Sequence, residues 1–360
     1  MKVLIACGGT AGHIFPALRL TEELHSKCKD IDTVLVVGKR DIEERIIPNE
    51  YKVIRLDAST IKLASFKECL MSFFKIFKTS LKSMLILLRF KPDLVIGFGG
   101  YASFFLVFFA WLLRIKTIIH EENVLMGRAN RLLSPFVDCI SIGFKQTEEL
   151  LSFYKQKMVF TGNPLRKDFK IIEKKEASQY FGFSSDYFTI LVMGGSQGAH
   201  RINIEFLKSI FLLKNKVLFQ IIHLTGEKDF AFLDKEYKNI NVKVALFKFL
   251  KPMHYAFSAA DLVICRAGAM TISEIIFFKL PAIIIPYPYA YRHQMYNATI
   301  LRDNGCAILI EEDRLNSEVL SESILRLMES ENKLIEMRKS YDKLLNISRR
   351  NLWDLVLSFN

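Results

Sequence analysis

The six cysteines of this 360-residue chain (Cys7, Cys28, Cys69, Cys139, Cys265, Cys306) stand singly, with no CxxC pair and no disulfide-like spacing. That argues against a disulfide framework or a cysteine-rich metal site, and a reducing cytoplasm fits best. Also missing is an apolar run of the roughly 20 residues needed to span a bilayer. The longest uncharged apolar stretch, clear of the glycines at 97–100, runs only from Tyr101 to Leu113, so no transmembrane helix is expected. Met1-Lys2 leads straight into strand-like sequence and does not read as a signal peptide. There is no low-complexity tract and no short-period repeat. Neither GxGxxG at the first glycine turn nor the GK[ST] of a P-loop is present, which weighs against a dehydrogenase or an NTPase. No metal constellation stands out, because the lone DxD, Asp30-Ile31-Asp32, precedes its strand and so lies at the wrong end of the sheet.

What is present in excess is apolar surface and positive charge. The hydrophobic fraction is 51%, with 30 Phe, at the upper edge for a soluble protein, so some of it is expected to be exposed. The formal charge of +12 suits a phosphorylated substrate, an anionic membrane or nucleic acid. No interleaved basic and aromatic pattern supports the last of these, and nucleic acid is not expected as a partner.

Twice an apolar run ends in paired glycines, a hydroxyl residue and a further glycine: Gly8-Gly9-Thr10-Ala11-Gly12-His13 and Gly194-Gly195-Ser196-Gln197-Gly198. Each reads as a buried strand turning into a helix whose free N–H groups and dipole favour an anion. Around the first copy, strand-like runs occur at 3–7, 33–37, 53–56, 94–97, 117–119, 139–142 and 159–161. After Gly162-Asn163-Pro164 the pattern restarts at 189–193, 218–224, 242–247, 262–265, 282–286 and 307–310. Apolar strands separated by helix-length segments imply parallel sheets covered on both faces. The fold class expected is therefore α/β, two Rossmann-like, doubly wound domains facing a cleft. The boundaries are 1–163 and 164–340, with a C-terminal helix in 341–360 crossing back to the first domain.

The motifs GGTAGH (8–13), GFGGYAS (97–103), HEENVLMGRANR (120–131), TGNPLR (161–166), GGSQGAHRIN (194–203), CRAGAMTISE (265–274) and HQMYNA (293–298) occur in this order. This series resembles the MurG family of UDP-N-acetylglucosamine transferases, in glycosyltransferase family 28. The resemblance implies a GT-B fold, with the acceptor lipid on the N-terminal domain and the nucleotide sugar mainly on the C-terminal one. The implied reaction moves N-acetylglucosamine from UDP-GlcNAc to the C4 hydroxyl of the muramic acid of undecaprenyl-linked lipid I, with inversion, giving lipid II. Two residues depart from the commonest pattern: Ala11 for a frequent glycine and Glu122 for a frequent glutamine.

By the same resemblance His13 is the candidate general base. A helix-start histidine that only bonds backbone or phosphate is the alternative. Thr10, Ala11, Gly12, Asn123, Arg166, Ser196, Gln197, Leu250, Ala269, Met270, Thr271, Glu274, Gln294 and Asn297 are expected at the donor, with Ser196 near the diphosphate, Leu250 reading uracil through its backbone and Glu274 on the ribose. Thr271 and Glu274 also fit a capping box, a purely structural alternative. Tyr101, Glu121 and Asn130 are expected on the acceptor side. No metal or other cofactor is expected, since helix N-termini and cationic side chains can neutralise a leaving diphosphate.

From Phe66 to Arg89, Lys75, Lys78 and Lys82 lie among Phe73, Phe74, Phe77 and other large apolar residues. A helix of this composition can rest in a bilayer interface with its cations on anionic headgroups. Part of it must also pack on the first sheet. Together with Trp111 it is the expected contact with the cytoplasmic face of the cell membrane, where other cell-wall synthesis proteins are possible partners. Two other readings stay open: a different nucleotide-sugar transferase or an epimerase on the same scaffold, and a non-catalytic basic membrane-binding protein.

Overall fold

The structure, a computed structural model, describes residues 1–8, 11–38, 47–56, 66–195, 198–213, 218–289 and 293–359, without the side chains of 11 and 66–71. Strands β1 (Lys2–Ala6), β2 (Asp32–Val37), β3 (Val53–Arg55), β4 (Leu94–Gly97), β5 (Lys116–Glu121), β6 (Cys139–Ile142) and β7 (Met158–Phe160) form one sheet in the order β3-β2-β1-β4-β5-β6-β7. Strands β8 (Phe188–Met193), β9 (Phe219–Leu224), β10 (Lys243–Phe247), β11 (Leu262–Cys265), β12 (Ala282–Ile284) and β13 (Ala307–Leu309) form a second, in the order β10-β9-β8-β11-β12-β13. The paired strands of both sheets run parallel.

The reason lies in the unbroken apolar runs. In β1, Val3 and Ile5 enter one buried cluster while Leu4 and Ala6 enter another on the opposite face. A strand buried on both faces needs helices on both sides, which right-handed parallel crossovers supply. The strand order reverses between β1 and β4 in the first sheet and between β8 and β11 in the second. Ligands of open α/β sheets bind outside the carboxyl ends of the strands at such reversals. Asp32, by contrast, opens β2 and pairs with Lys52 at 2.7 Å, at the opposite end.

Two compact units result: Met1–Arg166 with Ser348–Asn360, and Lys167–Ile347. The chain returns to the first unit at 348 rather than 341. Tyr341 is fully buried and its hydroxyl donates to the Leu280 carbonyl at 2.6 Å, which ties that stretch to the second unit. Beyond it, Leu352, Leu355 and Val356 join the core of Val3, Ile5 and Leu24, and the Arg350 N–H donates to the Phe160 carbonyl at 3.0 Å.

The helix Phe66–Phe90 packs with its small hydroxyl residues inward. Ser72, Thr79, Ser83 and Leu87 are buried, while Phe73, Phe74 and Phe77 are 63%, 64% and 62% exposed. Leu81, Leu85 and Leu88 continue that outer apolar face. Its inner side meets the helix Gly100–Leu112. Ordinary amphipathic packing would turn the phenylalanines inward. No helix among the described residues is long and apolar enough to cross a membrane.

Candidate active site

In the first unit the carboxyl ends of β1, β4 and β5 carry the polar residues. Two glycines let the backbone close up there. Gly99 and Gly100 have φ of 87° and 84°, and a Cβ on Gly100 would stand 2.6 Å from the Gly8 carbonyl oxygen. Both conditions exclude other residues. Beside Gly99 lies the ring of His13, from the first turn of the helix Ala11–Lys27, with Gly12 just before it.

His13 Nδ1 lies 2.6 Å from Oε2 of Glu122, which follows β5. The histidine side chain is 26% exposed and the carboxylate 5%. Burial alone would lower the His13 pKa; the charge and hydrogen bond of Glu122, with a smaller contribution from Glu121, outweigh it and raise the pKa above 6.5. Burial likewise pushes Glu122 up to about 7, against the opposing pull of His13. The pair therefore holds its protons more tightly than either group does in water.

The neighbouring carboxylate does different work. Glu121 Oε1 accepts from the Asn123 backbone N–H at 3.0 Å and from Asn123 Nδ2 at 3.2 Å. Its Oε2 accepts from the Gly127 N–H and from Asn130 Nδ2, both at 2.9 Å. Glu121 and Asn130, expected to face the acceptor, are thus buried and joined to each other, pinning the loop 122–127. Tyr101 remains 42% exposed at the start of the helix Gly100–Leu112. Behind the loop, Asn163 Nδ2 donates to the Glu122 carbonyl at 3.0 Å while its Oδ1 accepts from His120 Nε2 at 3.2 Å. Burial pushes His120 down to about 4, so it is neutral at pH 7. Arg166 places its guanidinium 4.6 Å over the Phe15 ring, on the helix that carries His13.

In the second unit Thr10's counterparts Ser196 and Gln197, like Thr10 itself, lie outside the described residues. The flanking Gly198 has φ of 75°, and a Cβ there would meet the Thr225 carbonyl oxygen at 2.2 Å. The helix His200–Leu213 starts immediately after. At the end of β11, Arg266 donates to the Ile285 carbonyl and forms a two-pronged ion pair with Glu312. Glu312 lies 46 residues away in sequence, and no local pattern pairs it with an arginine at another strand end.

Gln294 Oε1 accepts from the backbone N–H groups of Ala267 and Tyr287, at 3.1 and 3.0 Å, and Asn297 Nδ2 donates to the Ala267 carbonyl at 3.1 Å. These amides therefore shape the turn into the helix Ala269–Phe278, which begins with Ala269, Met270 and Thr271. Its N-cap is Gly268, without a side-chain cap. The capping box expected for Thr271 and Glu274 is not formed, because the helix starts three residues too early for Thr271 to cap it. Glu274 is buried on this helix, and Leu250 is buried after β10.

Residues 3–142 match the glycosyltransferase family 28 N-terminal domain, and residues 189–349 match the C-terminal domain of the same family. The chain belongs to glycosyltransferase family 28. A UDP-N-acetylglucosamine–N-acetylmuramyl-(pentapeptide) pyrophosphoryl-undecaprenol N-acetylglucosamine transferase from Thermodesulfovibrio yellowstonii is 39% identical over 344 residues, 94% of this chain and 92% of that protein. Its namesake from Acetivibrio thermocellus is 36% identical over 94% of this chain and 93% of its own length. Among solved structures, Acinetobacter baumannii MurG superposes with a TM-score of 0.78 at 27% identity, covering 99% of this chain and 98% of its own. A UDP-GlcNAc 2-epimerase from Neisseria meningitidis, at 16% identity and TM-score 0.65 over 99% of this chain and 100% of its own, shares the fold alone. Two doubly wound parallel sheets, one per family 28 domain, are the GT-B arrangement.

Proposed function

We propose that this family 28 enzyme transfers N-acetylglucosamine from UDP-GlcNAc to the C4 hydroxyl of the N-acetylmuramyl residue of lipid I, forming lipid II. The observation that carries the reading is the 39% identity, over almost the whole chain, to a transferase named for this reaction. The placement of His13 at the β1–β4 reversal adds chemical support. In an inverting transfer the acceptor oxygen attacks the anomeric carbon from the face opposite UDP, the bond to the diphosphate breaks, and the hydroxyl proton must go to a base. His13 takes that proton in this reading, since imidazole accepts one near neutral pH. The second glycine turn, with Ser196, Gln197 and the start of the helix His200–Leu213, receives the leaving diphosphate. Glu274 holds the ribose, and Gln294 and Asn297 border the sugar. No metal takes part; undiminished transfer in excess chelator is the expected outcome.

The lipid acceptor calls for a membrane surface, and the outward phenylalanines of the helix Phe66–Phe90, with Lys75, Lys78 and Lys82, offer peripheral attachment to an anionic one. Trp111, 38% exposed, adds an amphipathic ring. The test of the reaction is direct: purified protein, labelled UDP-GlcNAc and a lipid I analogue should give labelled lipid II. Folded protein that binds UDP-GlcNAc yet transfers nothing to lipid I would overturn the reading, and His13→Ala should cut turnover at least about a hundredfold while UDP binding persists.

A further inference from the structure

The proposed reaction asks one nitrogen of His13 to be free for a proton while the other carries a hydrogen. An isolated imidazole divides itself between two tautomers, and only one of them presents a lone pair to the acceptor. His13 Nδ1 faces Glu122 Oε2 at 2.6 Å, so the partner decides which tautomer is held. An ionised carboxylate can only accept, which forces the hydrogen onto Nδ1 and leaves Nε2 open. A carboxamide at this position could turn its NH₂ toward Nδ1 and select the wrong tautomer. This chain has glutamate there.

The surroundings of Glu122 are those of a carboxylate committed to one partner. It is 4% exposed, its backbone carbonyl is held by Asn163 Nδ2 at 3.0 Å, and its other oxygen, Oε1, has no hydrogen-bond partner among the described residues. An orphaned buried carboxylate oxygen is costly in a purely structural role. Glu121 shows the contrast on the adjacent residue: both of its oxygens are taken up by loop N–H groups and amides. Among the described residues, the titratable groups that bear on the pair are Glu121, at the end of β5, and His120, which is neutral.

We infer that Glu122 is a positioning residue for His13, fixing its tautomer and stabilising the imidazolium formed as the acceptor hydroxyl loses its proton. The inference rests on the proposed role of His13 as base. During transfer the proton moves from the acceptor hydroxyl to Nε2, the new C–O bond forms as the bond to UDP breaks, and the Glu122 charge offsets the cation left on the ring. Before that, the pair must have given up the proton it retains at low pH, so turnover rises with pH through this titration.

The experiment compares the full-length parent, His13→Ala, Glu122→Gln and Glu122→Asp in lipid I turnover from pH 5.5 to 9, with the donor KM measured alongside. Glu122→Gln should lower kcat at least about tenfold with a donor KM within about twofold of the parent. Its acid limb should move to lower pH, because removing the facing negative charge lowers the His13 pKa. Glu122→Asp, which retains the charge, should keep the acid limb within about 0.5 pH unit of the parent and recover part of kcat. It carries the same test if the glutamine variant fails to fold, since a merely structural glutamate predicts reduced stability with an unmoved kcat. Inactive His13→Ala beside a Glu122→Gln with parental kcat and pH profile would overturn the pairing alone. An active His13→Ala would overturn the base assignment, and the pairing with it.

Discussion

Asn130 donates its side-chain amide both to the His120 carbonyl, at 3.0 Å, and to Glu121 Oε2, at 2.9 Å, joining the end of β5 to the helix Arg128–Leu133. The residue is buried. Removing the amide strands the Glu121 carboxylate with one fewer donor, and an unsatisfied buried polar group costs about 1–3 kcal/mol. Asn130→Ala should lower the unfolding free energy by that amount, read as a reduced urea midpoint at an unchanged m-value. A midpoint equal to the parent's would show that water replaces the amide and that the loop does not depend on it.

Glu274 can be separated from a helix-capping role because Gly268, not Thr271, caps its helix. If it binds the ribose hydroxyls, the contact exists in both ground and transition states. Glu274→Ala should then raise the donor KM about tenfold or more with kcat little changed. Lower stability at an unaltered KM would assign the buried carboxylate to the fold instead.

For the helix Phe66–Phe90, the measurement is co-sedimentation with vesicles of anionic and of neutral lipid. The parent should bind the anionic ones, less as salt rises, because Lys75, Lys78 and Lys82 act through a screened field. Replacing Phe73, Phe74 and Phe77 together by Ser should abolish binding without loss of stability, since all three are largely exposed. Soluble UDP binding should be unaffected. Full vesicle binding by the folded triple variant would move the anchor elsewhere.

The sheets were legible because their inner strands are buried parallel strands whose apolar runs stand out from helix-length neighbours, as in Leu94–Gly97 and Leu262–Cys265. The glycine motifs marked the strand reversals for the same physical reason, a close approach that only glycine permits, as at Gly100 and Gly8. What sequence did not disclose are partnerships across long separations. His13 and Glu122 are 109 residues apart, and no local pattern distinguishes Glu122, facing a histidine, from Glu121, facing a loop. The alternation of side chains beyond a strand end decides it, and that needs the fold. The inward Ser72, Thr79 and Ser83 were hidden for another reason: a hydrophobic helix gives no sign of which face is outward until its neighbour is placed.

Two buried histidines set how the protein responds to acid. His223 donates from Nε2 to Asn203 Oδ1 at 3.0 Å and accepts at Nδ1 from the Tyr237 hydroxyl at 2.7 Å, while His120 is held between Ser141 and Asn163. Burial lowers His223 to about 3 and His120 to about 4, both from 6.5. Above pH 6.5 both are neutral in folded and unfolded chains, and the packing of the neutral rings contributes in full. As the pH falls below 6.5 the unfolded chain takes up protons that the folded one refuses, so stability drops, by up to about 1.4 kcal/mol per pH unit for each ring. The loss is complete only near the folded values, about 4 for His120 and about 3 for His223. The raised pKa values of His13 and Glu122 act with the opposite sign, costing stability as the pH rises toward and through 7. Urea midpoints at pH 7, 5.5 and 4.5 resolve the two. His223→Gln, uncharged throughout, should be less stable than the parent at pH 7 yet lose less on acidification, its slope shallower by about 1.4 kcal/mol per pH unit. Parallel slopes for parent and variant would show that His223 does not resist protonation in the folded protein.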